Sequence, residues 1–194
     1  ASLGAIWSSC SPDFGTEGVV ERFGQIEPRV LFTADGYFYK GRTFDCLQKV
    51  DRVLQAIPSI QNVVVVNYVG NVLGEAKSVE FSRRTDLWSD VLETSRDEPL
   101  NFEQVPFDHP LYIMFSSGTT GKPKCIVHSV GGTLLEHLKE HVLHTDVQRD
   151  DNIFYATTCG WMMWNWLVSR LATGATVRLD GGSAALHGLP ILFA

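Results

Sequence analysis

What this chain does without narrows its function before any motif is found. Its four cysteines, Cys10, Cys46, Cys125 and Cys159, are scattered. None stands in a CxxC pair, so neither a zinc ribbon nor a dense disulfide framework is written into the sequence; a reducing, cytosolic setting is expected. There is no block of lysine and arginine, and the formal charge is −6, which removes the electrostatic footprint of a nucleic-acid or anionic-membrane binder. No apolar run approaches the ~18 residues that a membrane-spanning helix needs, and no Asn-x-Ser/Thr acceptor occurs. The expected partners are small molecules, with no nucleic acid and no membrane.

The sequence also begins without Met or a basic leader, entering apolar sequence directly as ASLGAIW. Its last residues, 181–194, are small and apolar without clear period. Both ends read as the interior of something longer.

What is present is a globular composition: 194 residues, 44% apolar and 20% charged, enough for a core of ordinary size, with one compact body as the expectation. Short apolar or β-branched stretches at residues 4–8 and 29–33 flank a helical pattern at 17–23 that ends at Gly24. Phe44, Leu47, Val50, Val53, Leu54 and Ile57 recur at helical spacing until Pro58, and the run NVVVV at 62–66 suits a strand buried on both faces of a parallel sheet. Residues 67–108 turn polar and read as a connector holding a short helix at 86–94. Beyond it come strands at 111–115 and 125–128, a helix at about 132–143, a strand at 153–157, a helix at 162–172 and a strand at 175–179. This alternation predicts an α/β fold of mostly parallel sheets with flanking helices.

Between the strands at 111–115 and 125–128 lies SSGTTGKPK, residues 116–124. Glycine and hydroxyl residues in a row let several backbone N–H groups turn toward one point, and hydroxyls and ammonium groups add donors. Such a loop fits a phosphate. A Walker A loop would need Gly at Ser116 and Ser or Thr at Pro123, and fails at both. Pro123 and the run CIVH that follows favour a strand, so a helix dipole is not the phosphate holder. A plain hairpin loop of turn residues is the competing reading; the two lysines flanking a proline tell against it.

Ser117-Gly-Thr-Thr-Gly-Lys-Pro-Lys124 resembles the phosphate-loop signature of the adenylate-forming enzymes, the acyl-CoA synthetase superfamily, whose usual form is S/T-S-G-S/T-T-G-x-P-K-G. Cys125 stands where the final Gly is customary, which predicts an extended residue there. Ile126-Val-His-Ser-Val-Gly-Gly132, Gly160-Trp161 and Thr173-Gly-Ala-Thr176 are similar to segments of the acetyl-CoA synthetase branch. Gly4-Ala-Ile-Trp-Ser-Ser9, Ser11-Pro-Asp-Phe-Gly15, His128, His137-Leu-Lys-Glu-His141 and Gly160-Trp-Met-Met-Trp-Asn-Trp166 look most like the members of that branch that act on acetoacetate. The likeness covers about residues 1–183, expected to be part of an AMP-binding domain; residues 184–194 read as a divergent tail.

The resemblance implies a two-step ligase. A carboxylate, here acetoacetate, attacks the α-phosphorus of ATP to give an acyl-adenylate and pyrophosphate, and the thiol of coenzyme A then displaces AMP. Ser116, Ser117, Gly118, Thr119, Thr120 and Gly121 would cradle the β- and γ-phosphates, with Lys122 and Lys124 as charge partners and Mg2+ bridging phosphate oxygens. No catalytic set is complete and no metal ligand is assigned. The family's adenine, ribose and Mg2+ positions and its catalytic Lys are expected beyond Ala194, in a further C-terminal portion of the same protein, and the chain as given is expected not to complete adenylation. An acetyl-CoA synthetase-like ligase and a non-catalytic nucleotide-binding fragment are the alternatives.

By the same resemblance Trp161, Met162 and Met163 fall at the acyl pocket. The competing reading is a helix start with aromatic core residues. Lys40 and Arg42 fall where the branch contacts the nucleotide end of coenzyme A, with Tyr39 where relatives can carry a second Arg; a solvated basic turn competes with it. His137-Leu-Lys-Glu-His141 also matches the zinc pattern H-x-x-E-H, against the reading favoured here, a polar face of an amphipathic helix.

Overall fold

The valine run expected to be a strand buried on both faces of a parallel sheet is one, and it is that sheet's central strand. In the computed structural model, which describes residues 1–70, 81–94, 99–116 and 121–179, the elements begin β1 (Trp7–Ser8), α1 (Thr16–Phe23), β2 (Val30–Ala34), β3 (Gly36–Tyr39), β4 (Arg42–Asp45), α2 (Leu47–Ala56) and β5 (Asn62–Val66). They continue with β6 (Arg84–Leu87), α3 (Trp88–Thr94), β7 (Pro110–Ser116), β8 (Lys124–Ser129) and α4 (Val130–Leu138). A π-helical turn (Lys139–His144), β9 (Asn152–Ile153), α5 (Met162–Ser169), a 3-10 turn (Arg170–Thr173) and β10 (Thr176–Val177) complete the order. Among these residues no helix is long and apolar enough to cross a membrane.

The described residues divide into two compact units, Pro12–Pro99 and Ala1–Ser11 with Leu100–Leu179, where one body was expected. The change of unit falls inside the polar stretch read as a connector, which also holds the strand β6.

In the unit Pro12–Pro99, three parallel strands lie in the order β2-β5-β6. β5 is central, and Val63, Val64 and Val65 are buried, because a middle strand with elements on both faces leaves no polar side. α2 makes the crossover between β2 and β5 and buries Leu47, Val50, Val53 and Leu54, the stripe its spacing predicts. Each such side chain contributes about 1.5–3 kcal/mol relative to an exposed one. β3 and β4 form an antiparallel hairpin that alternation alone did not reveal.

The other unit is built on the sheet β1-β7-β8, with β1 parallel and β8 antiparallel to β7, and a parallel pair β9-β10. α4 follows β8 directly, its N-terminus capped by the Ser129 side chain, which accepts from Gly132 N at 3.3 Å. The predicted helices at 132–143 and 162–172 are both present but finish irregularly, the first in the π turn and the second in the 3-10 turn. Gly174, at φ 85°, ends the latter, a conformation glycine adopts without Cβ strain. The predicted strands at 153–157 and 175–179 shorten to two residues each.

Candidate functional site

β7 and β8 are strands because Tyr112–Phe115 and Cys125–Val127 are aromatic, β-branched or otherwise apolar on a pleated surface. Their register pairs Tyr112 with His128, Met114 with Ile126, Phe115 with Cys125 and Ser116 with Lys124. Side chains alternate along a strand and paired residues share a face. One face of the hairpin therefore carries, from base to mouth, Tyr112 and His128, then Met114 and Ile126, then Ser116 and Lys124. The base is aromatic and dry: the Tyr112 and His128 rings lie 4.9 Å apart, and burial pushes the His128 imidazole down and the Tyr112 phenol up from their usual ranges. The mouth is polar, with Ser116 half-buried and Lys124 exposed.

Of the predicted phosphate-loop residues, Ser116, Gly121, Lys122 and Lys124 are placed at this mouth; Ser117, Gly118, Thr119 and Thr120 lie outside the described residues. Gly121 has φ 107°, and a Cβ built on it would meet nothing within 4 Å, so backbone conformation and not space calls for glycine there. Lys122 and Lys124 are exposed, and the ion pairs among the described residues, Arg84–Asp86, Lys139–Glu136, Lys139–Glu140 and His144–Glu140, leave both out. Cys125 is extended in β8, as its departure from the signature predicts.

The segment that the resemblance assigns to the acyl pocket is the start of α5. Its approach is fixed by a crossing with the residues after β1. Ser9 Oγ donates to Cys159 O at 2.5 Å, and Cys159 Sγ donates to Cys10 O at 3.5 Å. A Cβ on Gly160 would sit 2.9 Å from Ser11 N, a close approach that only glycine permits. Trp161 is 64% and Met162 48% exposed, while Met163 is half-buried; the residue that α5 buries in the core is Leu167. Trp161 and Met162 thus stand as an open apolar surface at a helix start, not as core.

Asn165, one turn along, reaches β7: its Nδ2 donates to Met114 Sδ at 3.4 Å. This contact joins α5 to the hairpin face that ends in Ser116 and Lys124. Neither the loop signature nor the apolar pattern singled out Asn165; the signal available was a lone amide in an otherwise apolar stretch, GWMMWNW.

The far end of α5 is held by a buried polar cluster. The Arg170 guanidinium lies 3.8 Å from the Trp166 ring centroid, and the His141 ring packs against the same indole, tilted by 55° with centroids 4.8 Å apart. Ser169 Oγ donates to Trp166 O at 2.8 Å, so its oxygen accepts from His141 Nε2, also at 2.8 Å. Burial, reinforced by the Arg170 charge, pushes the His141 imidazole down to about 4; burial also lowers His137. The H-x-x-E-H side chains do not converge, because Glu140 pairs with Lys139 and His144 while the His137 and His141 rings are 6.1 Å apart. Among the described residues no group of three or more His, Cys, Asp or Glu is placed to hold a metal.

Lys40 and Arg42 lie in the other unit, at the tip of the β3–β4 hairpin. Lys40 at φ 49° and Gly41 at φ 73° make a two-residue turn, both residues left-handed, closed by the pair Tyr39 and Arg42. A lysine in that region is strained by about 1–2 kcal/mol, and strain of this sort collects at functional sites. The hairpin's base is fixed by Asp35, which sequence reasoning missed. Its buried carboxylate accepts from Tyr68 N at 2.9 Å and Val69 N at 3.0 Å. Its own N–H donates to Val66 O, and its carbonyl accepts from Cys46 N.

A family model described as AMP-binding enzyme matches residues 1–190. The chain is 53% identical to acetoacetyl-coenzyme A synthetase of Rhizobium meliloti (strain 1021), covering 100% of this chain and 29% of that protein. It is 50% identical to acetoacetyl-CoA synthetase of Gallus gallus with the same coverage, and 49% identical to malonamoyl-CoA synthetase vrtB of Penicillium aethiopicum over 94% of this chain and 26% of that one. Among solved structures, acetoacetyl-CoA synthetase from Streptomyces lividans superimposes with a TM-score of 0.85 at 45% identity, covering 94% of this chain and 27% of that one. The chain therefore spans less than a third of the length of these relatives.

Proposed function

We propose, since this chain belongs to the AMP-binding enzyme family, that it supplies the phosphate-holding mouth and acyl-binding segment of an AMP-forming ligase joining acetoacetate to coenzyme A. The observation that carries this reading is the mouth of the β7–β8 hairpin, where Ser116 faces Lys124 across the signature loop and Lys122 and Lys124 stand without carboxylate partners among the described residues. Identity of about half to acetoacetyl-CoA synthetases supports the choice of acid.

Attack of a carboxylate on the α-phosphorus brings two anions together, so the barrier falls through neutralised phosphate oxygens and in-line placement more than through a protein nucleophile. Ser116 and the loop N–H groups donate to the β- and γ-phosphates, and Lys122 and Lys124 offset their charge. Trp161, Met162 and Met163 offer the acyl end an apolar surface. Magnesium, when bound with ATP, offsets further phosphate charge. The thiol of coenzyme A then displaces AMP, with Arg42 binding its 3′-phosphate bidentately and Lys40 adding charge. Four scattered cysteines outside any CxxC pairing support a cytosolic setting.

Likeness to malonamoyl-CoA synthetase vrtB favours malonamate as the second reading. Calorimetric titration of ATP, followed by each acid in its presence, tests both. Acetoacetate is expected to bind at least about tenfold more tightly than acetate or propionate. Tighter binding of malonamate selects the second reading, and ATP binding that no acid joins overturns the ligase assignment.

A further inference from the structure

We infer that Asn165 is a specificity-determining residue that donates a hydrogen bond to the carbonyl at C3 of the acid, so that the site selects 3-carbonyl carboxylates over saturated ones of the same length. The inference rests on the reading of α5 as the acyl segment and deepens it.

Three observations converge on this amide. Within Gly160–Trp166 Asn165 is the single residue with an amide, so an apolar wall alone would have no use for it. Its Nδ2 meets a thioether, Met114 Sδ at 3.4 Å, and it makes no other side-chain hydrogen bond among the described residues. A thioether is a weak acceptor, and a ligand carbonyl would be a stronger one. Met114 and Ser116 share a face of β7, about 7 Å apart along the strand at 3.3–3.4 Å per residue. An acid whose carboxylate lies toward the Ser116 end, where the phosphates are held, carries its C3 oxygen back along that face toward Asn165. Acetoacetyl and malonamoyl groups, the acyl groups named in the relatives, both bear a carbonyl at C3. A saturated acid of the same length has a methylene there and would leave the amide donor with only the thioether, the kind of mismatch that a hydrogen-bonding site rejects.

The probes are acetoacetate and butanoate, which differ at C3 alone. Their dissociation constants, with ATP present, are read from the intrinsic fluorescence of the five tryptophans, three of which, Trp161, Trp164 and Trp166, stand in this segment. The unaltered chain is expected to prefer acetoacetate about tenfold, the ratio one good hydrogen bond sets. Asn165→Leu brings the ratio to about one, by weakening acetoacetate and leaving butanoate within about twofold. Asn165→Asp, of equal volume but with no donor when ionised, also abolishes the preference for acetoacetate while its charge weakens both acids, and decides the matter if Asn165→Leu fails to fold. A preference that survives either folded variant overturns the inference and leaves the acyl assignment standing. Failure of the unaltered chain to bind either acid overturns both.

Discussion

Two hairpins in this chain present cations by opposite means. The β3–β4 hairpin closes in a two-residue turn with Lys40 and Gly41 both left-handed, its register running without a break from Gly36–Asp45 to Tyr39–Arg42. The β7–β8 hairpin shifts register between Pro110 and Tyr112 and then holds one register from Tyr112–His128 to Ser116–Lys124, where a seven-residue sequence, SGTTGKP, joins the strands. A tight turn fixes one or two side chains on a stiff support, which suits a single phosphate at the end of a ligand. A longer sequence of glycine and hydroxyl residues offers more N–H and O–H donors than such a turn, which suits a triphosphate. The hairpins also differ in their surroundings: among the described residues the unit Pro12–Pro99 contains no histidine, while the other holds His137 and His141 buried.

The largest expected effect tests that last difference. A histidine whose folded pKa lies below its unfolded one contributes stability above pH ~6.5, and that stability is lost as pH falls toward the folded value. With His141 pushed down to about 4, the unit of the β7–β8 hairpin loses roughly 3 kcal/mol between pH 6.5 and 4. Acid unfolding followed by hydrogen exchange should open that unit first, and His141→Gln should flatten the dependence; simultaneous opening of both units would break the contrast.

Next is the pair Lys122→Ala with Lys124→Ala, expected to weaken ATP about a hundredfold while coenzyme A binding measured by calorimetry is unchanged. Equal losses for both ligands would mean the hairpins do not divide the work. A matched substitution then compares the turns themselves. Both Gly41 and Gly121 have open space around a would-be Cβ, but φ is 73° at the first and 107° at the second. The first is close to the left-handed region that other residues visit and the second is far from it. Gly121→Ala should therefore destabilise by about 2 kcal/mol and Gly41→Ala by about 1, read from urea midpoints; the reverse order would sink the backbone argument. The smallest effect is at Arg42→Ala, expected to weaken coenzyme A about tenfold. Dephospho-coenzyme A, which lacks the 3′-phosphate, should bind the variant and the unaltered chain alike.

Much of the fold was legible because it follows local patterns. NVVVV reads as a strand buried on both faces, and the α2 stripe from Leu47 to Leu54 reads as a helix packed on a sheet. The β3–β4 hairpin escaped notice because its turn is Lys-Gly, without the Asn or Asp that usually marks such turns. The division into two units was hidden for another reason: polar composition marks exposure, and both a connector and the edge strand β6 satisfy it.

The site divides along the same line. The phosphate signature, the glycine at position 121 and the apolar run around Met162 could be read along the chain, since each depends on residue type at fixed spacing. The fold was needed to bring Asn165 to Met114 on the face that ends in Ser116 and Lys124. It alone placed Asp35 under the backbone of Tyr68 and Val69, and His141 between Ser169, Trp166 and Arg170. Those pairings join residues far apart in the chain, through strand register and helix rotation, and a partner's identity is not encoded in the spacing around either residue.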